Sequence, residues 1–259
     1  MSYKPIIIVA GEPNSVFLEI FFKAIYNKKY ISPIILICSK KILSLQMKKL
    51  KIKKKVNYLD FLNIKKYNLD NNSINLIDAE YYQKKAFEKI SNKSKSYIDN
   101  CFKIAFNLIN IKYSDKLING PISKTNFLNK KTLGVTEYIS KKFSIKKNAM
   151  LIYNKNLSVC PLTTHMPIKL VSKNINRTSI LEKVKLIVSF YKKNFNKNPK
   201  IAILGLNPHC ESIEKFNEDE KIIKPAIKYL IKFGHKVSGP YSADTIFLKE
   251  NRKKFDVIL

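Results

Sequence analysis

The sequence is poor in arginine, and this shortage argues against one class of function, nucleic-acid binding. Only Arg177 and Arg252 are arginine among 49 basic residues, although the formal net charge is +30. Arginine is favoured for phosphate forks and base edges, so a charge excess made almost wholly of lysine argues against nucleic acid as the main partner. We attribute the lysines to tolerant surface positions, where they attract small metabolites that carry phosphate or carboxylate.

Familiar binding motifs are also absent. The sequence contains no P-loop and no complete Gly-x-Gly-x-x-Gly motif, which excludes the ordinary fingerprints of triphosphate and dinucleotide binding. Its four cysteines show no Cys-x-x-Cys spacing, so we expect free thiols in a reducing compartment. The apolar run over residues 6–10 is too short for a signal peptide or a membrane span. We therefore expect a soluble, cytoplasmic protein without a membrane partner.

The sequence does contain a repeated pattern of short apolar runs, polar turns and helical periodicity, which predicts β-turn-α units and an α/β fold. Its 259 residues are enough for one large α/β domain or two smaller ones. Helical periodicity is clearest over 96–109 and 180–195. The segments 149–153 and 157–162 are predicted to pair as a hairpin, because a short polar loop joins them.

Two apolar runs end abruptly in polar residues. The run over 201–206 leads to His209, and the run that begins at residue 157 leads to His165. Ligands of open parallel sheets bind beyond the carboxyl ends of the strands, so both histidines lie where a site is expected. Together with Asp244 they are compatible with a divalent-metal site of imidazole nitrogen and carboxylate oxygen. Isolated histidines are more often structural, and on spacing alone this alternative stays open.

Three other side chains have functional or structural interpretations. Lys124 follows a Gly-Pro turn, where it either binds a phosphate or carboxylate or remains solvated. Glu12 follows the first predicted strand and is either a site residue or a first-turn charge that favours a helix N-terminus. His235 lies beside Gly234 in a predicted turn and is interpreted as a surface residue near a helix C-terminus.

Six short blocks stand in a characteristic order over nearly the whole chain. They are Gly11-Glu-Pro, Asn119-Gly-Pro-Ile-Ser-Lys124, Gly134-Val-Thr-Glu137, Thr163-Thr-His-Met-Pro167, Gly205-Leu-Asn-Pro-His209 and Gly239-Pro-Tyr-Ser-Ala-Asp-Thr245. This ordered set resembles the 4-hydroxythreonine-4-phosphate dehydrogenase family. The match is specific because all six blocks keep their order.

The resemblance implies an isocitrate/isopropylmalate-dehydrogenase-like α/β fold, with two α/β domains around a cleft. We assign residues 1–128 to the first domain, which the family completes with a C-terminal segment missing from this sequence. Residues 129–259 form the second domain, which carries the metal histidines. The implied protein is a homodimeric, cytoplasmic oxidoreductase of pyridoxal phosphate biosynthesis. It uses a divalent metal (Zn, Mg or Co) and NAD or NADP.

The implied reaction oxidises the secondary alcohol of 4-phosphohydroxy-L-threonine, or of a related phosphorylated hydroxy acid, and the resulting β-keto acid loses carbon dioxide. Metal ligation carries over to His165 and His209, and substrate contact to Thr136. Lys124 is a further candidate for substrate binding. Asp244, in the Ala-Asp-Thr block, is our own candidate for a catalytic carboxylate. No residue is assigned to the nicotinamide cofactor.

The sequence departs from the family pattern at several points. Val135 replaces a substrate-binding histidine, and longer side chains replace the glycine-containing segments after Pro13 and His209. The family continues beyond the strand at 255–259 into a Tyr-His-Asp-Gln block with a third metal histidine. An incomplete chain, a decayed dehydrogenase and a paralogue with another ligand remain open. The alternative function is therefore a non-catalytic family member that binds a phosphorylated metabolite or a protein partner.

Overall fold

The structure is a computed structural model, and it describes residues 3–128, 134–212 and 216–259. The chain divides into two compact units, Met1–Gly134 and Val135–Leu259. The domain boundary that we predict after residue 128 borders the segment 129–133, which lies outside the described residues, so the boundary stays a prediction.

The described part of the first unit alternates strands with helices. Its elements are β1 (Ile6–Val9), α1 (Phe17–Asn27), β2 (Ile34–Cys38), α2 (Lys40–Lys49), β3 (Val56–Tyr58), β4 (Ile74–Asp78), α3 (Lys95–Asn110) and β5 (Leu117–Asn119). The strands form one parallel sheet in the order β3-β4-β2-β1-β5. The alternation of strands and helices is what the apolar runs and polar turns predict.

The central strand, β2, shows why this sheet forms. All five of its residues are buried, as expected for a parallel strand covered on both faces. Leu36 of β2 belongs to one buried cluster with Phe22 of α1 and Leu43 of α2. The helix α3 contacts β1 and β2 and contributes its own buried side chains, including Cys101 and Phe102. The first unit therefore has helices packed on its parallel sheet.

The second unit has its own parallel sheet. Its elements are α4 (Val135–Lys142), β6 (Ser158–Val159), α5 (Val171–Asn174), α6 (Arg177–Phe195), β7 (Ile201–Leu204), α7 (Lys224–Lys232), β8 (Val237–Tyr241), α8 (Lys249–Arg252) and β9 (Val257–Ile258). The strand order is β6-β9-β7-β8, and every neighbouring pair is parallel. The carboxyl ends of these strands therefore meet at one edge of the sheet.

Both faces of the second sheet are buried around β7. Ile203 lies in a cluster with Ile187 of α6 and Leu230 of α7. Ala202, the preceding residue, lies in a smaller cluster with Ile258 of β9. Since successive strand residues point to opposite faces, β7 is buried on both sides, as its wholly apolar sequence predicts.

Two helix predictions are confirmed, and the hairpin prediction is wrong in extent. The helices predicted over 96–109 and 180–195 are α3 and α6. Between the segments predicted to form a hairpin, a single antiparallel bridge joins Ile152 to Val159. Ala149 and Leu151 pack against the buried cluster of the second unit instead of extending the pairing, and β6 pairs with β9.

The cysteines and the helices bear on two further expectations. All four cysteines are free and buried, as expected for Cys38 and Cys160 from their apolar neighbours. Within the described ranges, no helix combines the length and the apolar character that crossing a bilayer requires.

Candidate active site

Three of the predicted site residues follow strands of the second sheet. His165 lies after β6, His209 after β7 and Asp244 after β8, and all three are exposed. Because the strands are parallel, the loops that carry these side chains leave the same edge of the sheet. Since β9 lies between β6 and β7, the ends of those two strands are about 10 Å apart, which is twice the usual strand spacing.

Both histidines have an unusual backbone conformation. His165 has a φ of 55° and His209 a φ of 56°, and Cys210 follows with a φ of 63°. An L-residue in this left-handed region costs about 1–2 kcal/mol, and its surroundings must hold it there. Four other residues share this conformation just after helices, namely Lys51, Lys112, Ser144 and Asn196, so it shows that both histidine loops turn sharply and does not assign their function.

The carboxylate of Asp244 is held by its own loop. The Ser242 hydroxyl donates a hydrogen bond to Asp244 Oδ1 at 2.6 Å. This hydrogen bond lowers the pKa of Asp244 below its ordinary value, and the nearby His209 imidazole acts in the same direction. The carboxylate is therefore ionised at neutral pH and lies close enough to His209 to interact with it electrostatically.

The chemical nature of these side chains suits a divalent metal. Imidazole nitrogens and a carboxylate oxygen are ligands of zinc and cobalt in catalytic sites. Within the described part of the chain, no three His, Cys, Asp or Glu side chains are grouped so as to hold an ion. The structure thus places the loops of His165, His209 and Asp244 at one edge of the sheet, and the described residues form no three-ligand cluster there.

Cys210, next to His209, is a poor candidate for a further metal ligand. Burial raises the pKa of its thiol, and the carboxylates of Asp219 and Asp244 act in the same direction. The sulfur instead packs against Gly205, where a Cβ would lie 2.6 Å from it.

The segments that lead to the two histidines also line a small pocket of about 180 Å³. Thr163 contributes from the end of β6, and Gly205 and Leu206 contribute from the end of β7. Most of the remaining lining is aliphatic, including Ile180 and Ile203. The pocket is smaller than the 300–1,000 Å³ typical of ligand sites, so it suits an apolar fragment and not a whole cofactor.

In the first unit, the loops after β1 and β5 are in backbone contact. The Glu12 amide donates a hydrogen bond to the Pro121 carbonyl at 2.8 Å. A Cβ on Gly120 would lie 2.0 Å from the Ala10 carbonyl oxygen, so only glycine fits at this contact. Lys124 begins a short helical turn soon after it, and its side chain is exposed.

Glu12 is a buried carboxyl, with 3% of its surface exposed. Its Oε2 accepts a hydrogen bond from the Ser94 hydroxyl at 2.9 Å, whereas its Oε1 has no hydrogen-bond partner. Burial raises the pKa of Glu12 above its ordinary value, and the Ser94 hydrogen bond opposes the rise. The side chain is therefore part of the interior and not an exposed charge at the start of α1.

The raised pKa of Glu12 predicts a pH-dependent effect of Glu12→Gln. The protonated carboxyl is favoured in the folded state, so its contribution to stability is full below the unfolded pKa, near 4.5, and is lost as pH rises through the folded pKa. We expect Glu12→Gln to raise the thermal midpoint relative to wild type near neutral pH, with the gap closing below pH 4.5. Glu19→Gln, which removes a half-exposed carboxylate paired with Lys23, is the control. A gap that is equal at both pH values contradicts the prediction.

Thr136, the predicted substrate contact, lies in the first turn of α4 and is exposed. Val135, at the position of the family's histidine, is the first residue of this helix and is partly buried. The threonine hydroxyl is therefore accessible to a ligand, whereas Val135 has no polar atom to offer one.

Sequence reasoning missed one residue close to His209. Asp219 is fully buried, and its two oxygens accept hydrogen bonds from the loop that leads to His209. In the sequence it belongs to an acidic segment over 211–220 that is typical of a solvated surface. The sequence does contain a signal for a helix start at this point, because Asn217-x-x-Glu220 resembles a capping box. Asn217 Oδ1 indeed accepts hydrogen bonds from the amides of Asp219 and Glu220.

Fold and site together define an α/β enzyme whose candidate ligands lie at the carboxyl ends of parallel strands. A crystal structure of 4-hydroxythreonine-4-phosphate dehydrogenase from Klebsiella pneumoniae matches with a TM-score of 0.80 at 22% identity, covering 98% of this chain and 80% of that chain. A crystal structure of a terephthalate 1,2-cis-dihydrodiol dehydrogenase from Burkholderia xenovorans LB400 matches with a TM-score of 0.68 at 18% identity. That match covers 99% of this chain and 78% of that chain. These matches confirm the isocitrate/isopropylmalate-dehydrogenase-like fold.

The chain belongs to the family of pyridoxal phosphate biosynthetic protein PdxA, which matches residues 29–259. It is 35% identical to the 4-hydroxythreonine-4-phosphate dehydrogenase of Sulfurihydrogenibium sp. (strain YO3AOP1), over 96% of this chain and 77% of the relative. It is 32% identical to the enzyme of the same name from Wigglesworthia glossinidia brevipalpis, over 98% of this chain and 77% of that relative. The resemblance seen in the six sequence blocks is therefore confirmed, and the family is one of oxidoreductases.

Proposed function

We propose that this chain is a divalent-metal-dependent NAD(P) oxidoreductase of pyridoxal phosphate biosynthesis. Its proposed substrate is 4-phosphohydroxy-L-threonine, or a related phosphorylated hydroxy acid, which it oxidises with decarboxylation. The observation that carries the proposal is the position of His165, His209 and Asp244 after three parallel strands at one sheet edge. Family membership supports it, because the matched relatives are named 4-hydroxythreonine-4-phosphate dehydrogenase. The sequence resemblance alone supports a cytoplasmic homodimer.

His165 and His209 would hold the cation through their imidazole nitrogens. A bound Zn²⁺, Mg²⁺ or Co²⁺ would supply Lewis-acid chemistry there, by polarising a substrate hydroxyl and stabilising negative charge on oxygen. Asp244, which follows the strand next to the one that leads to His209, is ionised and accepts the hydroxyl proton as a general base. A bound nicotinamide cofactor would accept the hydride of the alcohol carbon, and the family resemblance implies that the resulting β-keto acid loses carbon dioxide.

Two exposed residues are proposed to bind the polar groups of the substrate. Thr136 offers a hydroxyl from the first turn of α4. Lys124 offers an ammonium group to a phosphate or carboxylate, for which a lysine serves as a point charge. Each role is argued from the position of the residue within its own unit, and no residue is assigned to the nicotinamide cofactor.

The proposal is tested by steady-state reduction of NAD and NADP with 4-phosphohydroxy-L-threonine and added Zn²⁺, Mg²⁺ or Co²⁺. We expect reduced cofactor and carbon dioxide in equal amounts, and the loss of both after chelation of the metal. Asp244→Asn is expected to lower turnover by about 10²–10⁴-fold, because it removes the general base. Absence of reduced cofactor with every metal and both cofactors contradicts the proposal.

A second candidate function is binding without turnover. The observation that favours it is that the described residues form no group of three metal-ligating side chains. A catalytic zinc site ordinarily has three protein ligands, so two histidines would hold the ion more weakly. This candidate predicts calorimetric binding of the phosphorylated substrate by a chain that forms no reduced cofactor.

A further inference from the structure

We propose that Asp219 is a positioning residue, which holds the loop after β7 in the conformation that presents His209 to a metal. This inference rests on the proposed metal site and adds a supporting residue to it, not a further ligand. Asp219 begins the helical run that leads into α7, and its exposed fraction is 0%.

Asp219 binds the loop through both of its carboxylate oxygens. Oδ1 accepts a hydrogen bond from the Leu206 amide at 2.9 Å, and Oδ2 accepts one from the Asn207 amide at 3.1 Å. Oδ2 also accepts a hydrogen bond from Asn207 Nδ2 at 2.9 Å. A buried carboxylate is tolerated when N–H donors surround it, so the charge and the loop stabilise each other.

The path of the backbone between β7 and His209 depends on these bonds. The Gly205 amide still bonds across the sheet, to the Tyr241 carbonyl at 2.9 Å, but the next two amides bond to Asp219. The Asn207 carbonyl then accepts a hydrogen bond from the Cys210 amide at 3.0 Å, which closes a turn around His209. Asp219 therefore holds the residue on which this turn is built.

Close packing and backbone strain make the arrangement specific. A Cβ on Gly205 would lie 2.6 Å from Asp219 Oδ1, so the carboxylate reaches the loop only because this residue is glycine. His209 and Cys210 both have positive φ values, and such a pair persists only where neighbouring contacts determine it. Asp219 supplies contacts of this kind from outside the loop.

A merely structural aspartate would stabilise the unit without affecting metal binding, and Asp256 provides the matched control. Its Oδ2 accepts a hydrogen bond from the Lys200 amide at 2.9 Å, and its Oδ1 pairs with Lys197. Asp256 precedes β9 and so lies at the opposite end of the sheet from His209. Asp256→Asn therefore removes another amide-bonded carboxylate, less buried than Asp219, at the end of the sheet away from the proposed metal.

The experiment compares Asp219→Asn and Asp256→Asn with wild type. It measures the thermal midpoint, Co²⁺ affinity by calorimetry, the visible absorption of bound Co²⁺, and hydrogen–deuterium exchange over 205–210 without metal. We expect both variants to lower the midpoint. Only Asp219→Asn should weaken Co²⁺ binding, by about 10–100-fold, change the absorption and speed exchange in the loop.

Each outcome supports or overturns the inference. If Asp219→Asn binds Co²⁺ as tightly as wild type, or Asp256→Asn weakens binding equally, the positioning role alone is wrong. If wild type binds no Co²⁺, the proposed metal site is wrong and the positioning role fails with it. If Asp219→Asn does not fold, Asn207→Ser decides, because it removes the Asn207 side-chain bonds to Asp219 and Glu218 and leaves both backbone bonds to the Asp219 carboxylate in place. Weakened Co²⁺ binding then supports the role, and unchanged binding overturns it.

Discussion

Replacing both His165 and His209 with alanine is expected to abolish stoichiometric uptake of Co²⁺ or Zn²⁺. The two imidazoles supply the nitrogen ligands of the proposed site, and their loss leaves Asp244 as a single exposed carboxylate. Imidazole is a far better ligand than carboxylate for these metals, so uptake should fall to the background level. Equilibrium dialysis followed by elemental analysis measures the metal per chain, and cofactor reduction in the same preparations should also fall to background.

His235 provides the control for this prediction. It lies after α7, and burial lowers its pKa, with Lys192 and Lys185 acting in the same direction. Nearby positive charge makes this imidazole a poor position for a cation, so His235→Ala should retain full uptake. Metal that stays bound to the double variant, or that is lost with His235→Ala, contradicts the proposed site.

The edge of the sheet that carries the two histidines can be predicted from sequence. The run over 201–206 has no polar side chain, and this is the pattern of a strand buried on both faces. The strand ends at Leu204, and the first polar residue, Asn207, follows three positions later, so the run locates the end of β7 and the loop of His209 only approximately. The same reasoning works for His165, although β6 is only two residues long. Polar residues at the ends of apolar strands are thus the part of this site that local patterns reveal.

The support of His209 cannot be predicted in the same way. The Leu206 amide donates a hydrogen bond to Asp219 Oδ1, and the sequence around neither residue predicts this bond. An acidic residue in a charged segment is ordinarily solvated, and only the folded chain shows that this one is fully buried. The positive φ of His209 is also set by tertiary contacts, because only a small fraction of histidines adopt that region, although histidine does so more often than most residues.

In the first unit, the contact between the loops after β1 and β5 likewise cannot be predicted from local sequence. The sequence block that begins at Gly11 identifies a turn after β1, but it does not show what the turn contacts. The structure shows that this turn meets the loop after β5, through the hydrogen bond between the Glu12 amide and the Pro121 carbonyl. Gly11 and Gly120, from two of the six characteristic blocks, are therefore both required by this one backbone contact, because a Cβ on either residue would collide with the other loop.

This contact predicts a large loss of stability for Gly11→Ala. Gly11 has a φ of +75°, and a Cβ there would lie 2.4 Å from the Pro121 carbonyl oxygen. The left-handed backbone alone costs a non-glycine residue about 1–2 kcal/mol. The collision adds about 1–3 kcal/mol or more, because the obstacle is backbone that cannot rotate away. The sum is a large fraction of the 5–15 kcal/mol that stabilises an ordinary domain, and it is measured by urea-induced unfolding.

Gly234→Ala separates the two causes of this loss. Gly234 has a φ of +76°, nearly equal to that of Gly11, but a Cβ there would meet nothing within 4 Å. Gly234→Ala should therefore lose only the backbone contribution, about 1–2 kcal/mol, and the difference between the two variants measures the collision itself. Equal losses would mean that the loops after β1 and β5 can separate without cost. In that case Glu12 and Lys124, which lie on these two loops, would not be held in place by the contact.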